Sequence, residues 1–254
     1  NMTKLSLKIL FIISLVTFAS CKKDEIISNQ KITIKFSHTV DGIDLPSCCS
    51  SSDTLSYTNP YGEKYSVDIL KYIISNLKLY NNNGDSVSLS NVHYINLSEE
   101  STLKINIDEL NIDDYSSLSF VMGLNSEMNT ENNFINSDFH SSMWWPTQGS
   151  GTIPSAYHYM KLEGSVDSIT KGYKVHTGPT MGGDYSFRNE LPILLNLTNT
   201  SSDVEININM EINNWFQNPS VISLPNAMMM DISKQMQLKE NGKEDVFSAS
   251  VLIR

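Results

Sequence analysis

Residues Lys31 to Ser37 alternate as K-I-T-I-K-F-S, with Ile32, Ile34 and Phe36 on one side and charged or hydroxyl groups on the other. Successive side chains of an extended backbone point to opposite faces, so a period of two in β-branched and aromatic residues marks a half-buried strand. The signal returns at His93–Leu97, Leu103–Ile107, Ala156–Leu162, Tyr173–His176, Tyr185–Arg188, Leu191–Leu197, Val204–Ile212 and Phe247–Ile253, and Leu118–Leu124 reads as a fully buried strand. Val67–Tyr80 is long enough for a helix. The Asn83-Gly84 pair and the SVSLS run beyond it instead favour a strand entering a hairpin. Many short strands separated by turn signals predict an all-β fold. We expect an antiparallel β-sandwich with long loops, an open barrel being the other arrangement such spacing allows. The longest loop is Asn125–Ser142, polar and without periodicity. Asn226–Lys239, rich in helix formers and followed by Gly242, predicts one short C-terminal helix.

The first twenty residues stand apart from that pattern. Lys4 and Lys8 precede the apolar run Ile9–Phe18, and Ala19-Ser20 lead to Cys21. A basic start, a short apolar stretch and small residues before a cleavage point describe a secretory signal. A Cys immediately after them describes the bacterial lipoprotein form, in which Cys21 is lipidated and becomes the new N-terminus. The expected organisation is therefore a signal peptide at 1–20, a tether at 21–30 and one β-sandwich domain at 31–254. Removing 1–20 takes away two lysines and no acids, which leaves 16 basic against 28 acidic residues, formally −12. Such a surface excludes nucleic acid as the natural partner. It suits a chain held by a lipid anchor at the outer membrane, on its periplasmic or cell-surface face. The run Lys22-Lys23-Asp24-Glu25 resembles surface-export signals of outer-membrane lipoproteins.

Chemistry-bearing side chains concentrate between Phe139 and Gly178. Three of the five histidines lie there (His140, His158, His176), with Met143 and two of the three tryptophans, Trp144 and Trp145. Imidazole suits copper, zinc, iron and nickel, and soft sulfur neighbours turn the choice towards copper or zinc. His38 closes the first strand and His176 closes a later one, so the two could converge across the mouth of a sandwich. A solvated or hydrogen-bonded histidine would look the same in sequence. The Trp144-Trp145 pair could be a platform for glycan or protein, or one core and one lid tryptophan. Met228-Met229-Met230 and Met236 could be thioether ligands or core filling. Cys48 and Cys49 are adjacent, with Cα atoms about 3.8 Å apart, short of an ordinary disulfide span of about 4.4–6.8 Å. No GxSxG elbow, phosphate loop, dinucleotide fingerprint or HExxH helix is present, and the sequence supports no enzyme class.

Taken together, ITIKFSH with VDG, YTNPYGEKYSVDILKYIISNLKL, SLSFVMGLNSEMN, MWWP, YHYMKLEG and YKVHTG, in that order, resemble the MbnP-like copper-binding family. NWFQNP and NGKEDVF match one branch of it. The resemblance implies a β-rich extracytoplasmic protein with a copper ion held by histidines and a tryptophan-derived group, kynurenine, made by a partner dihaem peroxidase-like enzyme. Carried over by position, it implies His38 and His176 as ligands, Trp145 as the tryptophan, and His158 as a third ligand or a support. Thr147 stands where the family commonly has a second tryptophan, and GSGTIPSA precedes YHYMKLEG as an insertion. The function so implied is copper acquisition, storage or handover without turnover. Two alternatives remain on sequence grounds. One is a surface module binding glycan or protein through Trp144/Trp145. The other is a sandwich stabilised by Ca²⁺ at Asn125–Asp138.

Overall fold

The computed structural model describes residues 31–46, 54–108, 110, 113–145, 156–197, 202–224 and 229–253. The leader, Cys21, the tether, Cys48, Cys49, Thr147, Met228 and most of the GSGTIPSA insertion lie outside the described residues. The strands are β1 (Ile32–Val40), β2 (Ile43–Asp44), β3 (Tyr57–Thr58), β4 (Lys64–Tyr65), β5 (Ile69–Asn81), β6 (Ser86–Asn96), β7 (Lys104–Ile107) and β8 (Asp114–Met122). They continue as β9 (Trp144–Trp145), β10 (Ala156–Tyr157), β11 (Met160–Val166), β12 (Ser168–Thr177), β13 (Phe187–Asn196), β14 (Val204–Glu211) and β15 (Phe247–Ile253). Two α-helices join them, α1 (His140–Met143) and α2 (Ile232–Glu244).

One sheet runs β15-β14-β1, with β2 and β7 both on the far edge of β1. The larger sheet runs β13-β8-β5-β11-β4-β3, with β6 on β5 and β12 on β11. The inward faces of the two sheets make the sandwich that the alternation predicts. Ile32, Ile34 and Phe36 of β1 are buried in one apolar cluster with Leu70, Tyr72 and Ile74 of β5 and Met160 and Leu162 of β11. Each such side chain contributes about 1.5–3 kcal/mol on burial. One pairing departs from the antiparallel expectation: β1 and β14 run parallel, Ile32 opposite Val204 through Thr39 opposite Glu211. A parallel pair cannot be closed by a hairpin. Here most of the chain lies between the two strands, so no local signal announces it.

Val67–Tyr80 forms the strand β5 rather than a helix, and it organises the larger sheet. One edge pairs with β6. The other pairs with β11 from Ile69 to Tyr72 and then with β8 from Ile74 onward. The change of partner falls at Ile73, whose N–H donates to the Tyr159 carbonyl and whose carbonyl accepts from the Gly123 N–H. By alternation Ile73 faces away from the inter-sheet core. There it joins Leu124, Phe139, Met143, Tyr157 and Tyr159 in a second buried cluster on the outer face. The loop Asn125–Ser142 lies over this cluster and contains α1.

The C-terminal helix lies further along than Asn226–Lys239. Asp231 caps it, its carboxylate accepting from the Lys234 N–H, and it runs to Glu244. Gly242, read from sequence as the stop, lies inside the helix. A Cβ there would stand 2.2 Å from the Phe187 ring and 2.8 Å from the Trp215 ring. The glycine allows a close approach to the core, and does not end the helix.

Candidate metal centre

The cross-strand register sets the face on which each candidate lies. Lys161 of β11 pairs with His176 of β12 and with Lys71 of β5, while the preceding residue, Met160, pairs with Thr177 and Tyr72. Tyr72 and Met160 are inter-sheet core, so Lys71, Lys161 and His176 project from the outer face. Glu163 shares that face and accepts a hydrogen bond from His176, Nε2 to Oε1 2.7 Å. A carboxylate offers only acceptors. The His176 Nε2 therefore carries a proton, and the tautomer with that proton alone keeps a lone pair on Nδ1. The Glu163 carboxyl lies below its ordinary pKa, first because of that hydrogen bond.

His158 sits where the strand is broken between β10 and β11. Its backbone N–H and its ring Nδ1 both reach the Met143 carbonyl, at 2.8 and 3.0 Å. A carbonyl too can only accept, so Nδ1 is the protonated nitrogen and Nε2 holds the lone pair. The His158 and His176 ring centroids lie 5.1 Å apart, edge to face. Burial, then the nearby Lys161 and His176, pushes the His158 imidazole down to a pKa of about 3, so it is neutral at physiological pH. Lys161 is itself lowered, first by burial, and its ammonium donates to the Ser142 carbonyl. Lys71 donates to the Ser142 hydroxyl at 3.1 Å.

Trp145 lies over His158, ring centroids 5.4 Å apart at 32°. The β9–β10 ladder places it opposite Ala156, with Trp144 opposite Tyr157. Trp144 turns the other way, onto Tyr157 at 5.0 Å and His140 at 5.3 Å. Trp144 thus packs against the outer cluster, while both tryptophans stay partly exposed. The end of β12 is held from outside the strand by Gln235 of α2. Its amide Nε2 donates to the His176 carbonyl at 2.8 Å and its Oε1 accepts from the Gly178 N–H at 3.3 Å. A Cβ on Gly178 would meet the Met229 methyl at 2.7 Å and the His158 Cα at 3.5 Å, so a larger residue there would push the Met229 side chain aside.

His38 lies elsewhere. Its side chain is buried between the sheets, and its Nε2 is 3.0 Å from the Tyr72 hydroxyl. Tyr72 occupies the inward face of the strand whose outward face carries Lys71, so the larger sheet stands between His38 and the His158–His176 pair. The structure thus brings together His158, His176 and Trp145 of the four expected site residues, and does not bring His38 to them. Burial lowers the His38 pKa to about 4. Of the lesser candidates, His140 is bound to the Tyr157 hydroxyl at 2.9 Å and Met143 is buried in the outer cluster. His93 stacks on Phe36 and reaches the Thr102 carbonyl at 2.8 Å. In the loop proposed for Ca²⁺, the Asn129 side chain is spent on both the N–H and the carbonyl of Tyr157. Among the described residues no three His, Cys, Asp or Glu side chains converge in a metal-holding group.

The family model for MbnP matches residues 29–231. The chain belongs to the MbnP family. A search of curated proteins gives no match. Among solved structures, MbnP from Methylosinus trichosporium is similar with a TM-score of 0.50 at 12% identity, over 88% of this chain and 98% of that one. At that identity the likeness is one of fold. The MbnP match takes in His38, Trp145, His158 and His176, and it ends at Asp231, the cap of α2. Two residues that sequence reading passed over, Glu163 and Gln235, hold the histidine pair in place. Glu163 sits two residues from Lys161 in the quoted YHYMKLEG stretch, so its face was readable. Its partner was not, because only the β11–β12 register brings it to His176. Gln235 lies beyond the MbnP match and carries no pattern at all.

Proposed function

We propose that this chain is an extracytoplasmic copper-binding protein that acquires, stores or hands over the metal without catalytic turnover. The observation that carries the reading is the His158–His176 pair. Both rings have one nitrogen engaged by a pure acceptor, the Met143 carbonyl and the Glu163 carboxylate. Each therefore keeps one lone pair, on His158 Nε2 and His176 Nδ1. Metal-bound histidines characteristically have their other nitrogen fixed in this way, which sets the tautomer and raises ligand basicity. The donor set fits copper: imidazole is among its preferred ligands, and two imidazoles with no carboxylate ligand suit a low-coordinate cuprous ion. Copper would be held by His158 and His176, with Trp145 as the wall of the site. Glu163 and Gln235 orient the rings, and Lys161 and Lys71 close one side through Ser142.

Membership of the MbnP family supports the same assignment. The proposal extends to a lipid anchor at Cys21 on the outer membrane and to a dihaem peroxidase-like partner that would oxidise Trp145. Metal analysis of the purified protein against His158→Ala, His176→Ala and His38→Ala tests the site. The wild type and His38→Ala should each retain about one copper ion, and the other two almost none. Equal copper in all four would remove the assignment. Loss in His38→Ala alone would move the site to the inter-sheet core. Intact mass measurement of native protein tests whether Trp145 is modified.

A further inference from the structure

Behind the histidine pair, a groove of about 600 Å³ is lined by Met181, Met229, Met230, Asp231, Ile232 and Ser233. Methionine in a β-sandwich ordinarily fills core gaps, and Met229, 8% exposed, fits that role. Met181 and Met230 do not, since they remain 52% and 48% exposed. Met181 is held at φ 48 in a turn bridged between Thr180 and Gly183, a backbone region that non-glycine residues rarely occupy. The Thr180 hydroxyl of that turn donates to the Met230 Sδ at 4.0 Å, tying the turn to the start of α2. Met229 Sδ accepts from Gln235 Nε2 at 4.0 Å, the same amide that holds the His176 carbonyl. Two half-exposed thioethers, gathered with a third at the mouth of one groove, lie one side chain away from the histidine strand.

We propose that Met181, Met229 and Met230 form a second, thioether site for a monovalent soft metal ion, cuprous copper, distinct from the histidine pair and adjoining it. The role assigned to it, a loading or handover position, rests on the copper reading of the pair. Neutral thioether sulfur selects Cu(I) over harder divalent ions, and a weak exposed site next to a buried one is the arrangement a passing ion requires. Gln235 makes the two sites mechanically contiguous, since it touches both Met229 and the His176 backbone.

The test is an anaerobic titration with Ag(I), a redox-inert monovalent probe, on the full chain carrying Cys48→Ser and Cys49→Ser so that neither sulfur competes. Met181→Leu/Met229→Leu/Met230→Leu keeps side-chain volume and should retain about one silver ion fewer than wild type. X-ray absorption of silver-loaded wild type should show sulfur neighbours that this variant loses. His158→Ala/His176→Ala should keep them. Equal silver content and equal sulfur signal in wild type and the leucine variant would overturn the thioether site. Should the triple variant fail to fold, Met181→Leu/Met230→Leu changes only exposed positions and should weaken silver retention by about tenfold or more. No weakening there overturns the proposal equally. Copper content of the histidine variant is read separately, so failure of the histidine site and failure of the thioether site give different results.

Discussion

Two buried histidines, His38 and His158, lie on opposite sides of one sheet and have been put to different uses. His38 points inward, at 4% exposure, and its ring nitrogen meets a phenol that can itself donate or accept. Burial is what lowers its pKa, and the ring packs edge-on to Tyr72 at 5.7 Å. His158, at 6% exposure, is as deeply buried. Its protonated nitrogen is fixed by a carbonyl, a second imidazole stands 5.1 Å away, and an indole covers it. Depth alone therefore says little about function. What sets His158 apart from the core His38 is a ring fixed by a carbonyl beside a second ring fixed by a carboxylate.

The sharpest way to break this contrast is to delete each ring. His158→Ala or His176→Ala should abolish copper retention, and His38→Ala should leave it in whatever protein folds, as elemental analysis will read. Next in size is a pH effect to which both buried histidines contribute, since His158 is lowered to about 3 as well; substitution isolates the part that belongs to His38. With its pKa lowered to about 4 in the folded protein from 6.5, the unfolded chain takes up a proton through the interval where the folded chain does not. This contribution to stability is therefore full above 6.5 and is lost as the pH falls towards 4. Between about pH 7.5 and about pH 5 it amounts to about 2 kcal/mol. Urea unfolding at the two pH values should show a drop in wild type that is smaller by about that amount in His38→Gln.

A further effect is expected on the other side of the sheet, this one in affinity. Glu163→Ala removes the acceptor that fixes His176 and should weaken copper binding by about 10–100-fold with little change in the unfolding midpoint. Competition against a chromophoric copper chelator measures it. An unchanged affinity would show that Glu163 plays no part in orienting the ring. The last variant, Tyr72→Phe, strips His38 of its partner. It should cost about 1–3 kcal/mol of stability and leave copper affinity unaltered. A Tyr72→Phe variant that lost copper would mean that the two sides of the sheet are coupled.

Period two made the sandwich legible in the residues alone. The alternation of Ile32, Ile34 and Phe36 holds in β1, and Val204 to Met210 alternate buried and part-exposed in β14. The Asn83-Gly84 signal correctly argued for a strand in Val67–Tyr80. The helix boundary was not legible, because Gly242 serves a close approach to Phe187 and Trp215 that no local pattern reveals. The parallel pairing of β1 with β14 was hidden for a similar reason, since register across 172 positions has no short-range signature.

The candidate site divides along the same line. By itself the sequence determined which side chains were available: a dense stretch from Phe139 to Gly178 holding His158, His176 and Trp145, and a strand-end His38 far upstream. It also determined the family. Only the tertiary structure decided which of these meet, because facing depends on the cross-strand register of β5, β11 and β12. That register sends Tyr72, the partner of His38, inward and sends Lys161, Glu163 and His176 outward. A one-residue difference along a strand reverses the face of a side chain, and no spacing between His38 and His176 could have told on which side of the sheet each would stand.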